Sequence, residues 1–201
     1  MMSHKEVWRP GNMLYPLPAV LVTARNAKGE DNLCTVAWTG TVCSDPVMLS
    51  ISLRPSRLTC EYIRETGVFV VNLTTKRLAH AADFCGVRSG RELDKFAHEH
   101  LTKTEAEKIS CCMLDESPVC LECRVAEEKP LGSHTMFLAE VLAVHVDRQY
   151  MDEKGRFDLM KAQPIVYSHG EYAVLGSRIG TFGFSVRKPA SGKRRKKKET
   201  S

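Results

Sequence analysis

The sequence predicts a mostly-β, barrel-like fold with a few decorating helices. Three observations carry that reading. Apolar residues fall in short runs that alternate or are continuously apolar, the patterns of half-buried and central strands. Turn residues separate those runs at short intervals. Helical spacing is confined to a few brief stretches between them, as in barrels with inserted helices.

Residues 17–25 read as a strand and residues 26–29 as a turn, followed by a strand over 32–40. In residues 47–53, Val47, Leu49, Ile51 and Leu53 share one face of a third strand. Residues 67–73 are nearly all apolar, which predicts a central strand. Two further strands are expected over 119–127 and 133–147, the second long enough to bend, and another around 165–167. The clearest helix is expected over 56–66, with Ser56 as N-cap, an apolar stripe of Leu58, Tyr62 and Ile63, and Gly67 just past its end. Residues 75–85 read as helical with Leu78, Ala81 and Ala82 inward, and 92–100 as a further helical stretch.

Composition limits the function classes. The chain has 201 residues, 43% hydrophobic and 26% charged, enough to build one packed domain. No apolar run approaches the roughly 18 residues of a spanning helix, so no membrane partner is expected. No secretory h-region is seen near residues 1–12, and eight cysteines then read as reduced thiols in a cytoplasmic protein. Residues 187–201 hold eight Lys or Arg and one Glu. Subtracting those seven charges from the net +5 leaves the rest near −2. The basicity therefore belongs to a tail, read as disordered over 188–201, beside a folded domain over 1–187. Nucleic-acid binding is not the leading reading, because a binding domain carries positive charge on its folded face.

Cys120 and Cys123 have CxxC spacing. They sit in an alternating run that would place Cys120, Glu122 and Arg124 on one strand face and Leu121, Cys123 and Val125 on the other. Two sulfurs on opposite faces are awkwardly placed to share a zinc, and no metal site is expected.

The chemistry concentrates in residues 32–73. A helix start near Ser56 offers free N–H groups and a positive dipole end. Ser56 and Thr59 add hydroxyls, and Arg54 and Arg57 flank them without an acidic residue before Glu61. A bound phosphate would offset that local positive charge; a capped surface helix with solvated arginines is the plainer alternative. Trp38, Thr39, Gly40 and Thr41 form a second element, with an aromatic wall, two hydroxyls and a glycine that allows close approach of a planar ring. Core packing is the alternative role for Trp38. No P-loop or GxGxxG pattern is present.

The order of these pieces resembles the flavin reductase-like family, and especially its flavoredoxin-type members. The stretches that carry the resemblance are TVAWTG (35–40), SDP (44–46), SLRPSRLT (52–59), GVFVVNL (67–73), DKF (94–96), GSH (132–134) and LGSRIG (175–180). Together they cover roughly residues 10 to 185. The resemblance implies a homodimer of FMN-binding split β-barrels, with one non-covalent FMN near the subunit boundary. The phosphate would meet Ser56, Arg57 and Thr59. The ring would lie along Ala37, Trp38, Thr39, Gly40 and Thr41, and along Ser52, Leu53 and Arg54. Lys95 and Phe96 resemble the family's Lys-Phe pair near the flavin. His134 resembles a histidine linked to nicotinamide binding, although Ser133 replaces an Asp common before it. Tyr172, Leu175 and Arg178 are placed to line the site without an assigned role.

The implied function is an FMN-dependent oxidoreductase. Electrons would come from NAD(P)H or a protein donor and leave to a flavin, a metal complex or another acceptor. A non-enzymatic flavin-binding electron carrier shares every motif. A nucleic-acid-associated protein acting through Lys193 to Lys198 is the weaker alternative.

Overall fold

A computed structural model describes residues 4–187. The basic tail over 188–201 lies outside the described residues. Twelve strands follow in chain order. They are β1 (Leu17–Pro18), β2 (Val20–Arg25), β3 (Asp31–Val36), β4 (Thr39–Ser44), β5 (Val47–Leu53), β6 (Val68–Leu73), β7 (Lys103–Glu105), β8 (Cys112–Leu114), β9 (Val119–Pro130), β10 (Thr135–Val146), β11 (Ile165–Ser168) and β12 (Glu171–Val174). Helices α1 (Leu58–Thr66), α2 (Ala79–Val87) and α3 (Lys95–His98) interrupt them.

Seven strands form one antiparallel sheet in the order β3-β2-β6-β9-β10-β5-β4. β6 has a neighbour on each side, as its apolar run predicts. One core cluster collects Val22 from β2, Cys34 from β3, Ile51 from β5, Phe69 from β6, Cys123 from β9 and Phe137 from β10. Residues from six strands meeting in one cluster require the sheet to curl around it. Phe69 and Phe137 are fully buried, each worth on the order of 2–3 kcal/mol. β10 bends as its length suggests, with register shifts against β9 at Leu138/Ala139 and Val141/Ala143. A small sheet, β1-β11-β12, lies apart from the main one.

Several boundaries differ from the sequence pattern. The run over 17–25 is two strands, because β1 pairs with β11 in the small sheet while β2 pairs with β3 and β6. The run over 32–40 ends at Val36. The chain turns at Ala37 and Trp38, where the Trp38 carbonyl accepts from Ser52 N–H at 2.8 Å, and β4 begins at Thr39. Arg57, not Ser56, occupies the N-cap of α1, and it supplies no side-chain cap. Gly67 ends that helix as expected, at φ 71°, with its N–H donating to Ile63 O at 2.8 Å. The helix over 75–85 starts as a 3-10 turn and becomes α2 at Ala79. The stretch over 92–100 shortens to α3, capped by Asp94, whose side chain accepts from Phe96 and Ala97 N–H.

Cys120 and Cys123 do face opposite ways. Cys120 packs with Val70 and Cys111, whereas Cys123 lies in the main core. Beside Cys120, the buried Glu122 carboxylate accepts from the N–H groups of Glu107, Lys108 and Ile109 and bonds His145 Nε2 at 2.6 Å. Burial alone would raise that carboxyl, but these partners outweigh it and hold it below the usual range.

All eight cysteines are free. Burial pushes Cys85 and Cys123 up to about 12 and Cys120 up to about 11. The unfolded chain therefore sheds thiol protons above pH 9 while the folded chain keeps them, so stability falls as pH rises. Between pH 9 and 10 these three thiols should cost about 1 kcal/mol each, measured by urea unfolding under reducing conditions. An unchanged unfolding free energy over that interval would contradict their burial as protonated thiols.

Candidate functional site

The turn at Ala37 and Trp38 opens the wall of a cavity of about 570 Å³. Ser52, Leu53 and Arg54, at the end of β5, form the adjacent wall, followed by Arg57 at the start of α1. Asp83, Gly86 and Val87 contribute the face of α2, and Thr35 packs against it. A Cβ on Gly86 would stand 3.3 Å from Thr35 Cβ, so the glycine permits the close approach of α2 to β3. Ser133 and His134 come from the turn before β10, and Tyr167, Gly170 and Tyr172 from the β11–β12 hairpin.

Aromatic rings line one side. Trp38 and His134 lie nearly parallel, 15° apart with centroids 6.2 Å apart. Trp38 also meets Tyr167 at 6.5 Å, and Tyr167 meets Tyr172 edge-on at 5.6 Å. Trp38 is half-buried, so its ring faces the cavity rather than filling the core. Such walls suit a planar ring system.

Arg54 and Arg57 share the same lining. Among the described residues no acidic side chain pairs with Arg54, Arg57 or Lys95. Arg57 donates instead to the Gly86 carbonyl. Lys95 is 3% exposed, and its Nζ donates only to the carbonyls of Cys85 and Arg88, each at 3.4 Å. Burial pushes the Lys95 ammonium down, and the nearby Arg57 adds to that. His134 is pushed down by burial and then by Arg54, so its imidazole is neutral at pH 7. In both groups burial is the larger cause, and a neighbouring arginine adds to it.

The expected site residues divide. Ala37, Trp38, Ser52, Leu53, Arg54, Arg57 and His134 converge on this cavity. Thr39, Gly40 and Thr41 run along β4, the last strand of the sheet, and leave the cavity. Ser56 is exposed outside it, and Thr59 is buried with its hydroxyl accepting from Asn32 Nδ2 at 2.8 Å. Lys95 and Phe96 line a separate cavity of about 420 Å³ beside Asp31 and Arg91. Phe96 belongs to a second core cluster with Leu21 and Cys85. Tyr172 lines the cavity, whereas Arg178 pairs with Asp158 away from it. Sequence reasoning passed over Asp83, Gly86, Val87 and Tyr167. Gly86 inside a helical run and the His169-Gly170 turn were the available signals.

A third cavity of about 530 Å³ is lined by Asp115, Glu116, Asp147, Cys120 and His145, with Arg77 as its one Lys or Arg. Its acidity makes it the wrong place for a phosphate.

The family model described as the flavin reductase like domain matches residues 12–176. The chain belongs to the flavin reductase-like family. Its strands are those of the family's split barrel. The flavoredoxin of Desulfovibrio vulgaris (Miyazaki F) superposes with a TM-score of 0.84 at 27% identity, covering 91% of this chain and 100% of that one. Flavoredoxin from Methanosarcina acetivorans gives 0.81 at 29% identity with the same coverage. Among sequences, an uncharacterized protein of Archaeoglobus fulgidus is 33% identical over 141 residues, 70% of this chain and 78% of its own length. An NADH-dependent FMN reductase of Streptomyces nodosus subsp. asukaensis is 26% identical, covering 81% of this chain and 80% of its own.

The positive region yields a prediction that needs no flavin. Replacing a buried, uncompensated ammonium with an apolar chain is expected to stabilise the protein. Lys95→Met should raise the unfolding free energy of the ligand-free protein by about 1 kcal/mol, measured by urea denaturation at pH 7. A clear loss of stability would mean that the two carbonyl contacts compensate the charge.

Proposed function

We propose that this flavin reductase-like protein binds FMN without a covalent bond and works as an oxidoreductase through it. Electrons enter from NAD(P)H or a protein donor and leave to a flavin, a metal complex or another acceptor. The observation that supports this best is one cavity lined both by arginines without an acidic partner and by near-parallel aromatic rings. That pairing suits a ligand with a phosphate and a flat ring.

The residues fit the group. Arg57 and Arg54 would hold the phosphate, with Ser52 in reach of its oxygens or the chain behind it. Lys95 would add positive field from behind α2. The ring would lie along Ala37, Trp38 and the backbone of Ser52 to Arg54. FMN, when bound, supplies the two-electron carrier, and the protein supplies position and electrostatics. A neutral His134 can bond a carboxamide without repelling a cationic nicotinamide ring. It already bonds Ser133 Oγ through Nδ1 at 2.9 Å, which leaves Nε2 for a ligand.

A homodimer with the site near its boundary is part of the proposal. Val7, Trp8, Leu14, Ile179, Phe182 and Val186 are strongly exposed on the two terminal segments, and Asn12 of the first lines the cavity. A second copy would cover them. Free thiols suit a cytoplasmic, reducing setting. The domain limits 1–187 and 188–201 are proposed on composition.

The carrier reading is the second one. Ser133 in place of the expected acidic residue weakens the case for a nicotinamide partner, and solved flavoredoxins resemble the chain. Visible absorption of the FMN-loaded protein, before and after anaerobic NADH, separates the two. Bleaching by NADH supports a reductase; bleaching by dithionite alone supports a carrier.

Arg57→Ala should weaken FMN binding at least about tenfold, as expected for losing a charge-assisted contact. The affinity is read from quenching of flavin fluorescence on titration. An unchanged affinity would remove the phosphate from α1.

A further inference from the structure

We propose that His80 and Glu99 form a pH-sensitive clasp that holds α2 against α3, closed by a proton on His80 and loosened as that proton leaves. Its effect on the cavity rests on the reading that FMN occupies it. Glu99 follows α3 directly, and its side chain is 5% exposed. His80 Nδ1, from the first turn of α2, bonds one carboxylate oxygen at 2.7 Å. His98 Nδ1, from the end of α3, bonds the other at 2.9 Å. Phe84 lies one turn further along α2. Its ring stacks on His98 at 4.0 Å and 9°, and on His80 at 6.4 Å and 12°. Three near-parallel rings and one carboxylate thus join the two helices.

With Nδ1 on the carboxylate, Nε2 is the nitrogen that gains and loses a proton, in a side chain that is 81% exposed. The Glu99 hydrogen bond, then the Glu99 charge, push the His80 pKa up from 6.5, and Asp83 of α2 adds to that. Burial alone would raise the Glu99 carboxyl, but the His80 and His98 bonds outweigh it and hold it down. Of the other elements packed here, β2 and β3 carry Arg25 and Asp31, which pair with each other, and the 3-10 turn before α2 carries Lys76 and Arg77. A raised folded value means that the contribution of His80 is complete below pH 6.5 and is lost as pH rises through that value.

α2 carries that change to the cavity. Its Asp83, Gly86 and Val87 line the space, and the Gly86 carbonyl accepts from Arg57. At the far end of α2, Lys95 of α3 donates to the carbonyls of Cys85 and Arg88. Opening the clasp frees the first turn of α2 while Lys95 still holds the last. His80 and Glu99 are positioning residues, because they act through α2.

The test compares wild type with His80→Gln, which keeps a neutral donor to Glu99, and with His80→Lys, which keeps the charge at pH 8. Amide hydrogen exchange over residues 79–87 is measured on the ligand-free protein and corrected for the intrinsic effect of pH. Wild type should show about threefold less protection at pH 8 than at pH 6, and both variants an unchanged protection. Between the same two pH values, FMN affinity should fall about threefold further in wild type than in His80→Gln, a comparison in which ionisation of the FMN phosphate cancels. Equal protection ratios in wild type and His80→Gln overturn the clasp. A change in protection with equal FMN ratios overturns its effect on the cavity. Failure to bind FMN at all overturns the reading beneath that effect, and the exchange result alone then decides the clasp.

Discussion

Positive charge held without a carboxylate, where β5 passes the chain to α1, is the constraint on which the site depends. Arg54 and Arg57 bracket that junction, and Lys95 lies buried behind it. A solvated surface helix would carry acidic residues in this turn. Here the first acid is Glu61, which is engaged by Arg91. The charge is tolerated because the curled sheet and α2 fix the surrounding backbone, through the Gly86 contact with Thr35 and the Arg57 bond to the Gly86 carbonyl. Two guanidinium groups without an acidic partner are thus held where a phosphate could meet them.

The aromatic side follows from a different break in regularity. The chain leaves the β3 ladder at Val36 and enters β4 at Thr39, so Trp38 is turned out of the sheet pattern. The Ser52 N–H that pairs with the Trp38 carbonyl then locks this turn against the end of β5. The small sheet closes the remaining side, because Pro18 and Leu17 pair with β11 and carry Tyr167 toward Trp38. Cation and ring sites are therefore brought together by one strand end.

Much of this was legible in the sequence. Period-two alternation located β5, and Leu49, Ile51 and Leu53 are buried as expected, whereas Val47, expected on the same face, is exposed at the strand's start. The Gly67 stop was readable because only a left-handed residue could end α1 there. The break at Ala37 was not readable, because Ala and Trp continue an apolar run as well as they end one. Arg57 rather than Ser56 is the N-cap of α1, a one-residue offset that local propensity does not encode. The outward path of Thr39 to Thr41 follows from β4 being the last strand of the sheet, a matter of strand order. Asp83 and Tyr172 reach one cavity only through long-range packing.

The measurement that bears most directly on the phosphate end is a calorimetric comparison of FMN with riboflavin, which differ only in the phosphate. FMN is expected to bind at least about 100-fold more tightly, the worth of two charge-assisted contacts, and that advantage should shrink with added salt. Equal affinities would contradict the assignment of the arginine junction to the phosphate.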